Sequence, residues 1–177
     1  GVGGACYPAA YDDYIIAVGA TRYDETLAYY SNHGASLDLV APGGDLKVDQ
    51  NGDAYGDGIL QQTYKRLSDG SISWHYSFME GTSMAAAHVS GIAALLIANG
   101  NATTPEHVRQ ALESTAKDLG DEGRDIIYGY GLADAFAALQ WTASDSEPIL
   151  GALTLNADFS GSPTTALTGT SVQFSDQ

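Results

Sequence analysis

The stretch from Ser83 to Asn99 constrains the fold more than any other part of the chain. It is rich in Ala, Leu and Ile, apolar nearly all round, and stops at Asn99-Gly100. Such a sequence reads as a helix that must be covered by other layers, ended by a glycine that accepts a left-handed turn. What covers it is suggested upstream. Ile15 to Ala20 is a short apolar run of the kind that forms a buried strand, and Leu37 to Pro42 reads as a second strand closed by its proline. Downstream, Thr104 offers an N-cap with Pro105 at the first helical position, predicting an amphipathic helix to about Leu119, and a further helix is expected over Leu132–Trp141. Strands followed by helices in this order predict an α/β layer with a mostly parallel sheet.

Between these elements, residues 43–80 are polar, rich in Gly and Asp, and broken by strand-like stretches at Ile59–Tyr64 and Ile72–Phe78. This pattern predicts an insertion carrying a hairpin. After Trp141 the character changes. Residues 142–154 read as a linker, and 155–177, with alternating Thr, Ser and apolar residues, as the start of a second, β-type module.

Seven basic against 22 acidic residues give a formal net charge of −15, a field that repels phosphate backbones, so no nucleic acid is expected as a partner. The single cysteine, Cys6, has no second cysteine for a disulfide. The longest strongly apolar run falls far short of the roughly 20 residues that span a bilayer, so no membrane span is expected. The chain opens on Gly1 without a signal-like segment, and is read as a fragment whose signal would lie upstream.

Gly81-Thr82-Ser83-Met84-Ala85 places a serine at the start of the apolar helix, where unpaired backbone N–H groups and the helix dipole favour developing negative charge. Two readings stay open on this local pattern. Thr82 or Ser83 caps the helix, which is the commoner role, or Ser83 is a nucleophile. The α/β-hydrolase elbow is excluded, because Ala85 stands where that motif needs glycine and no acid-then-histidine pair follows the serine.

The longer run Gly81 to Gly91, with His88 and Gly91 in place, closely resembles the serine motif of the subtilisin-like peptidases. Tyr7-Pro8-Ala9, Ile16 to Ala20, Tyr30 to Gly34, Leu39 to Gly43 and Tyr128 to Leu132 fall in that family's order, so the resemblance covers about residues 1–141. It implies a three-layer α/β fold with helices on both faces of the sheet and its N-terminal part missing. It also implies a secreted serine endopeptidase that cleaves polypeptide substrates through an acyl-enzyme. Ser83 would be the nucleophile, and its own N–H an oxyanion donor. In the family's chain order the aspartate, the histidine and the oxyanion asparagine come first, so here they are expected in the upstream portion of the parent chain. The fragment alone is then expected to be inactive, poorly soluble and dependent on that portion.

No histidine present takes the place of the base. His88 lies five residues along the helix, about 7.5 Å up the axis from Ser83, and reads as structural; His33 and His107 read as surface residues. One departure from the family is Ala87, where proline is usual. It restores a backbone N–H near the helix start and relaxes a constraint on the position of Ser83. The resemblance also makes Cys6, Tyr7, Pro8 and Ala9 part of the pocket before the scissile bond, with Cys6 at its floor and the Tyr7–Pro8 bond cis.

A calcium ion is expected in the insertion. Asp49, Asn51, Asp53 and Asp57, with the Tyr55 carbonyl, repeat the oxygen spacing of a calcium loop, although Leu60 stands where an EF-hand has its bidentate glutamate. Asp45 offers a replacement carboxylate. A second cation position around Ala9 to Tyr14, with Asp12 and Asp13, is implied by some family members. Residues 157–163 and 171–176 resemble the first strands of a PKD-type module. Against the peptidase stand two readings from other classes, a non-catalytic binding protein and a calcium-dependent structural module on the same scaffold.

Overall fold

The computed structural model describes residues 4, 7–11, 14–143, 161–162 and 173–174. The chain divides into two units, Gly1–Ser146 and Glu147–Gln177. In the first, β1 (Val18–Thr21) and β2 (Leu39–Pro42) pair in parallel, with Val18 opposite Leu39 and Thr21 opposite Pro42. β3 (Ile59–Arg66) and β4 (Ile72–Met79) form a separate antiparallel hairpin, followed by α1 (Thr82–Ala98), α2 (Pro105–Thr115) and α3 (Ala135–Gln140). In the second unit, β5 (Gly161–Ser162) pairs antiparallel with β6 (Gln173–Phe174).

Parallel pairing requires a crossover, and the long segment between the two strands supplies it. Ala20, Leu39 and Ala41 face one way and form a single cluster with Ala85, Val89, Ile92 and Leu96 of α1 and Val108, Ala111 and Leu112 of α2. The opposite face is closed differently. A Cβ on Gly19 would meet Ser31 Oγ at 3.0 Å, Val40 at 3.1 Å and Leu37 at 3.3 Å, so the loop before β2 covers this side. Helices were expected on both faces; among the described residues the three helices gather on one.

α1 begins and ends as the sequence implies but is not enclosed. Its buried positions, Ala85, Val89, Ile92 and Leu96, follow the i, i+4, i+7, i+11 stripe of one face, while Leu95 and Ile97 on the other are 50% and 55% exposed. α2 starts as predicted, with Thr104 Oγ1 accepting the His107 N–H at 3.1 Å. It ends at Thr115 instead of near Leu119 because Lys117 leaves the helix to exchange hydrogen bonds with Leu132 at 2.8 and 2.9 Å. For a related reason α3 begins only at Ala135: the Ala133 N–H is given to Val40 O at 2.9 Å, and Asp134 then caps the helix through the Ala137 N–H. These bonds lay the 128–133 segment beside β2 as an extra, bridge-like strand.

A half-buried ionic staple ties α2 to the sheet. Arg109 lies 3.3 Å from Asp38 and 3.0 Å from Glu113, and donates to the Ile15 carbonyl at 3.0 Å, while Asp38 accepts the Ala17 N–H at 2.7 Å. Burial works against the Arg109 charge, but its two carboxylate partners outweigh it and raise its pKa. Burial pushes the Glu113 carboxyl above its ordinary range despite the same guanidinium.

Candidate active site

Ser83 is the second residue of α1 and is exposed. The residue in the cap position is Gly81, with φ 152° and ψ 160°, and no side chain caps the helix. The capping role for Thr82 or Ser83 is therefore overturned: the chain turns into the helix at a glycine, whose backbone reaches a conformation closed to L side chains. Among the described residues the Ser83 hydroxyl has no hydrogen-bond partner, and its N–H finds no backbone acceptor. A free hydroxyl and a free donor N–H thus stand together at the positive end of a 17-residue helix.

The turn is held against the carboxyl end of β2. Gly81 N–H donates to Gly43 O at 3.0 Å. Gly43 is so closely packed that a Cβ there would lie 2.5 Å from Ala20 Cβ, 2.8 Å from the Tyr30 hydroxyl and 2.9 Å from Gly81 O. Tyr30 Oη donates to Gly44 O at 2.7 Å, and burial pushes its phenol up to about 12, so it stays a donor at neutral pH. Glu80, immediately before the turn, accepts from Tyr29 Oη at 2.7 Å and from the Leu46 N–H at 2.6 Å. Tyr30 belongs to the Tyr30-to-Gly34 run, but Glu80 did not stand out in the sequence, because its partners Leu46 and Tyr29 lie 34 and 51 residues away. The only hint was that Glu80 abuts the serine motif.

Two of the histidines pair locally on their own helices. His88 is exposed, its Nδ1 paired with Met84 O at 2.9 Å one turn back, and His107 is 3.2 Å from Thr103 Oγ1 at the start of α2. His33 departs from a simple surface reading: its Nδ1 is buried without a hydrogen-bond partner among the described residues. Ala87 lies inside an uninterrupted helix, so the residue that replaces the family's proline leaves the first turns regular.

Tyr7–Pro8 is cis, as expected. Tyr7, Pro8 and Ala9 belong to a turn in which the Tyr11 N–H donates to Pro8 O at 3.0 Å and the Tyr7 ring lies 4.8 Å from that of Tyr11. Cys6, Asp12 and Asp13 lie outside the described residues. No hydrogen bond joins the Tyr7–Ala9 turn to Ser83 among the described residues.

In the insertion, the expected oxygen ligands fold onto their own loop. Asp49 accepts the N–H groups of Gly52 at 2.7 Å, Asp53 at 3.2 Å and Ala54 at 2.9 Å, holding Ala54 at φ 72°. Asn51 accepts from the Asp53 N–H and Asp53 from the Tyr55 N–H, both at 2.9 Å, and the Tyr55 ring stacks on Phe78. Asp45 and Asp57 are buried and bridge their strands, with Arg22 3.3 Å from Asp45 Oδ2 and the Gln50 N–H on Asp57 Oδ2 at 2.6 Å. Asp57 Oδ1 is buried without a partner among the described residues. No three Asp, Glu, His or Cys side chains converge as a metal group among those residues, because most of the expected ligand oxygens are taken by backbone N–H donors.

Comparison with known proteins agrees with this architecture. The sequence profile of the Subtilase family (Peptidase_S8) matches residues 4–131. M-protease of Shouchella clausii is 37% identical over 138 residues, covering 78% of this chain and 30% of its own length. Subtilisin Savinase of Lederbergia lenta is likewise 37% identical over 138 residues, covering 78% and 42%. Fervidolysin from Fervidobacterium pennivorans, described as a keratinolytic enzyme related to subtilisin, superimposes with a TM-score of 0.61, at 33% identity over 78% of this chain and 21% of its own. The chain thus spans less than half the length of these relatives.

Proposed function

The chain belongs to the Subtilase family, and from that premise we propose that it is the serine-bearing portion of a secreted, calcium-supported serine endopeptidase. The observation that carries this reading is Ser83 itself: an exposed hydroxyl and an unpaired N–H at a helix start, pinned to the carboxyl end of a parallel strand pair through Gly43 and Gly81. Ligands in open α/β sheets gather beyond the carboxyl ends of the strands.

In this mechanism Ser83 Oγ attacks the carbonyl carbon of a peptide bond while its proton passes to a histidine base. The carbonyl oxygen becomes an oxyanion that accepts from the Ser83 N–H, a donor already aimed outward and requiring no rearrangement. Collapse breaks the C–N bond, the amine leaves with the proton, and water then releases the acyl group from Ser83. The base, its aspartate partner and the oxyanion asparagine come from the upstream portion of the parent chain. The open apolar face of α1 supports that arrangement. An open groove of about 550 Å³ lined by Met84, Ala87, Gly91 and Leu95 is the surface such a portion would cover. Tyr7, Pro8 and Ala9 form a wall of the substrate pocket.

Calcium fits the insertion in part. Asp45 and Asp57 are two buried carboxylates, Arg22 lies beside Asp45 alone, and Asp57 Oδ1 is an acceptor left open. Asp49, Asn51 and Asp53, by contrast, already satisfy backbone donors, so a cation would draw on Asp57, the Tyr55 carbonyl and whichever of these oxygens the loop releases. Its role is to order the loop, and no step of the reaction passes through it. The pairing of Gly161–Ser162 with Gln173–Phe174 fits the opening hairpin of a PKD-type module.

Labelling of the parent protein with a fluorophosphonate probe tests the reading. Labelling is expected, lost in Ser83→Ala and reduced in chelator; absence of labelling in folded parent protein favours a non-catalytic scaffold.

A further inference from the structure

The hairpin formed by β3 and β4 has two unlike faces. The register sets Leu60 opposite Phe78 and Tyr64 opposite Trp74, with Tyr76 between them. The period of two puts all five on one face. Tyr64, Trp74 and Tyr76 are 55%, 65% and 71% exposed, and the Tyr64 and Trp74 rings meet edge to face at 5.5 Å. A pair of eight-residue strands with an uncovered aromatic face is marginal alone and gains most from a third strand or a covering chain. Both strands are sheet edges, so each offers a row of backbone donors and acceptors.

Charge narrows the occupant. Ile59–Met79 holds two of the seven basic residues, Lys65 and Arg66, and one of the 22 acidic ones, Asp69, for a net +1, while the rest of the chain carries five basic against 21 acidic residues. Eight residues of strand extend about 26 Å, roughly three Debye lengths at physiological salt. The cationic end of the hairpin is therefore screened from much of the acidic body. Two hairpins that each carry a net +1 set like charges together, which disfavours self-pairing.

We propose that this hairpin is a docking strand for an extended, acidic polypeptide segment, which adds to an edge by main-chain hydrogen bonds, lays alternate apolar side chains on the Tyr64–Trp74–Tyr76 face and sets its carboxylates near Lys65 and Arg66. β4 runs from this face to Met79, four residues before Ser83, so a chain laid along the hairpin follows the strand that leads to the serine turn. This deepens the peptidase reading and rests on it for its purpose, though not for its binding chemistry.

The test uses the parent protein carrying Ser83→Ala, which binds without cleaving, and a fluorescent ten-residue peptide of alternating Glu and Val, compared with its Lys–Val counterpart by anisotropy. The Glu–Val peptide is expected to bind at least tenfold more tightly, with the preference weakened by salt and lost in K65E/R66E, and binding reduced about tenfold in Trp74→Ser. Equal affinity for the two peptides, no binding, or binding unchanged in K65E/R66E overturns the proposal; so does a dimer in sedimentation that Trp74→Ser dissolves, which assigns the face to a second copy. Fluorophosphonate labelling of the Ser83 parent separates the two readings. Labelling without peptide binding removes only the docking strand, and peptide binding without labelling removes only the peptidase.

Discussion

In the layer that carries Ser83, Ala20, Leu39, Ala41, Ala85 and Leu96 are all fully buried, whereas the residues from Ile59 to Met79 are half-buried or exposed. The first region coheres by removing apolar surface from water. The second holds together by ladder hydrogen bonds, cross-strand ring contacts and, at its base, carboxylates that accept backbone N–H groups. The contrast teaches how a turn bearing an exposed serine can be kept fixed while an adjoining segment stays open to solvent. The serine turn is anchored to the buried layer through Gly43, and the hairpin leads into it through β4 and Glu80.

Mutations should separate the two kinds of cohesion. The largest effect is expected for Leu96→Ala, which empties a fully buried site in the cluster shared by the sheet and helices. Urea unfolding of the parent protein should register a loss of about 2–5 kcal/mol. Gly43→Ala comes next. Its Cβ would press on Ala20, the Tyr30 hydroxyl and Gly81 O, costing about 1–3 kcal/mol and slowing fluorophosphonate labelling by moving the serine turn. A labelling rate unchanged in that variant would show that the turn is not held through Gly43. In the hairpin, Trp74→Ala should cost only about 0.2–1 kcal/mol by the same unfolding measurement, because the mostly exposed ring loses one cross-strand partner; a cost near that of Leu96→Ala would erase the distinction.

The smallest differences are in pH dependence, where the regions should have opposite signs. Burial raises the Glu113 carboxyl, so its contribution is fully present below the ordinary glutamate range and is lost as pH rises through the raised folded value. Stability relative to Glu113→Gln should therefore decline with rising pH. At the hairpin turn, hydrogen bonds from the Ser71 hydroxyl and N–H lower the Asp69 carboxyl. Its contribution is present above the ordinary aspartate range and is lost as pH falls through the lowered value, so stability relative to Asp69→Asn should rise with pH. Equal slopes in the two comparisons would remove the electrostatic difference.

What could be read from the chain alone was whatever depends on neighbours a few residues apart. Thr104 and Pro105 announce the start of α2, period-two alternation marks the hairpin strands, and the Gly81-to-Gly91 run places Ser83 at a helix start within a known family. Helix ends set by distant partners were not legible: Lys117 and Ala133 look helical by local pattern, yet pair with Leu132 and Val40. The same holds for the cap, which falls on Gly81 because the backbone there must turn against Gly43. It holds also for Asp49, Asn51 and Asp53, whose spacing suits a cation but whose oxygens the folded loop gives to its own N–H groups. Residue type and spacing determine which local structures are favourable, and tertiary contact decides which polar groups find a partner, because hydrogen bonds and close packing act only at the few ångströms that folding brings about.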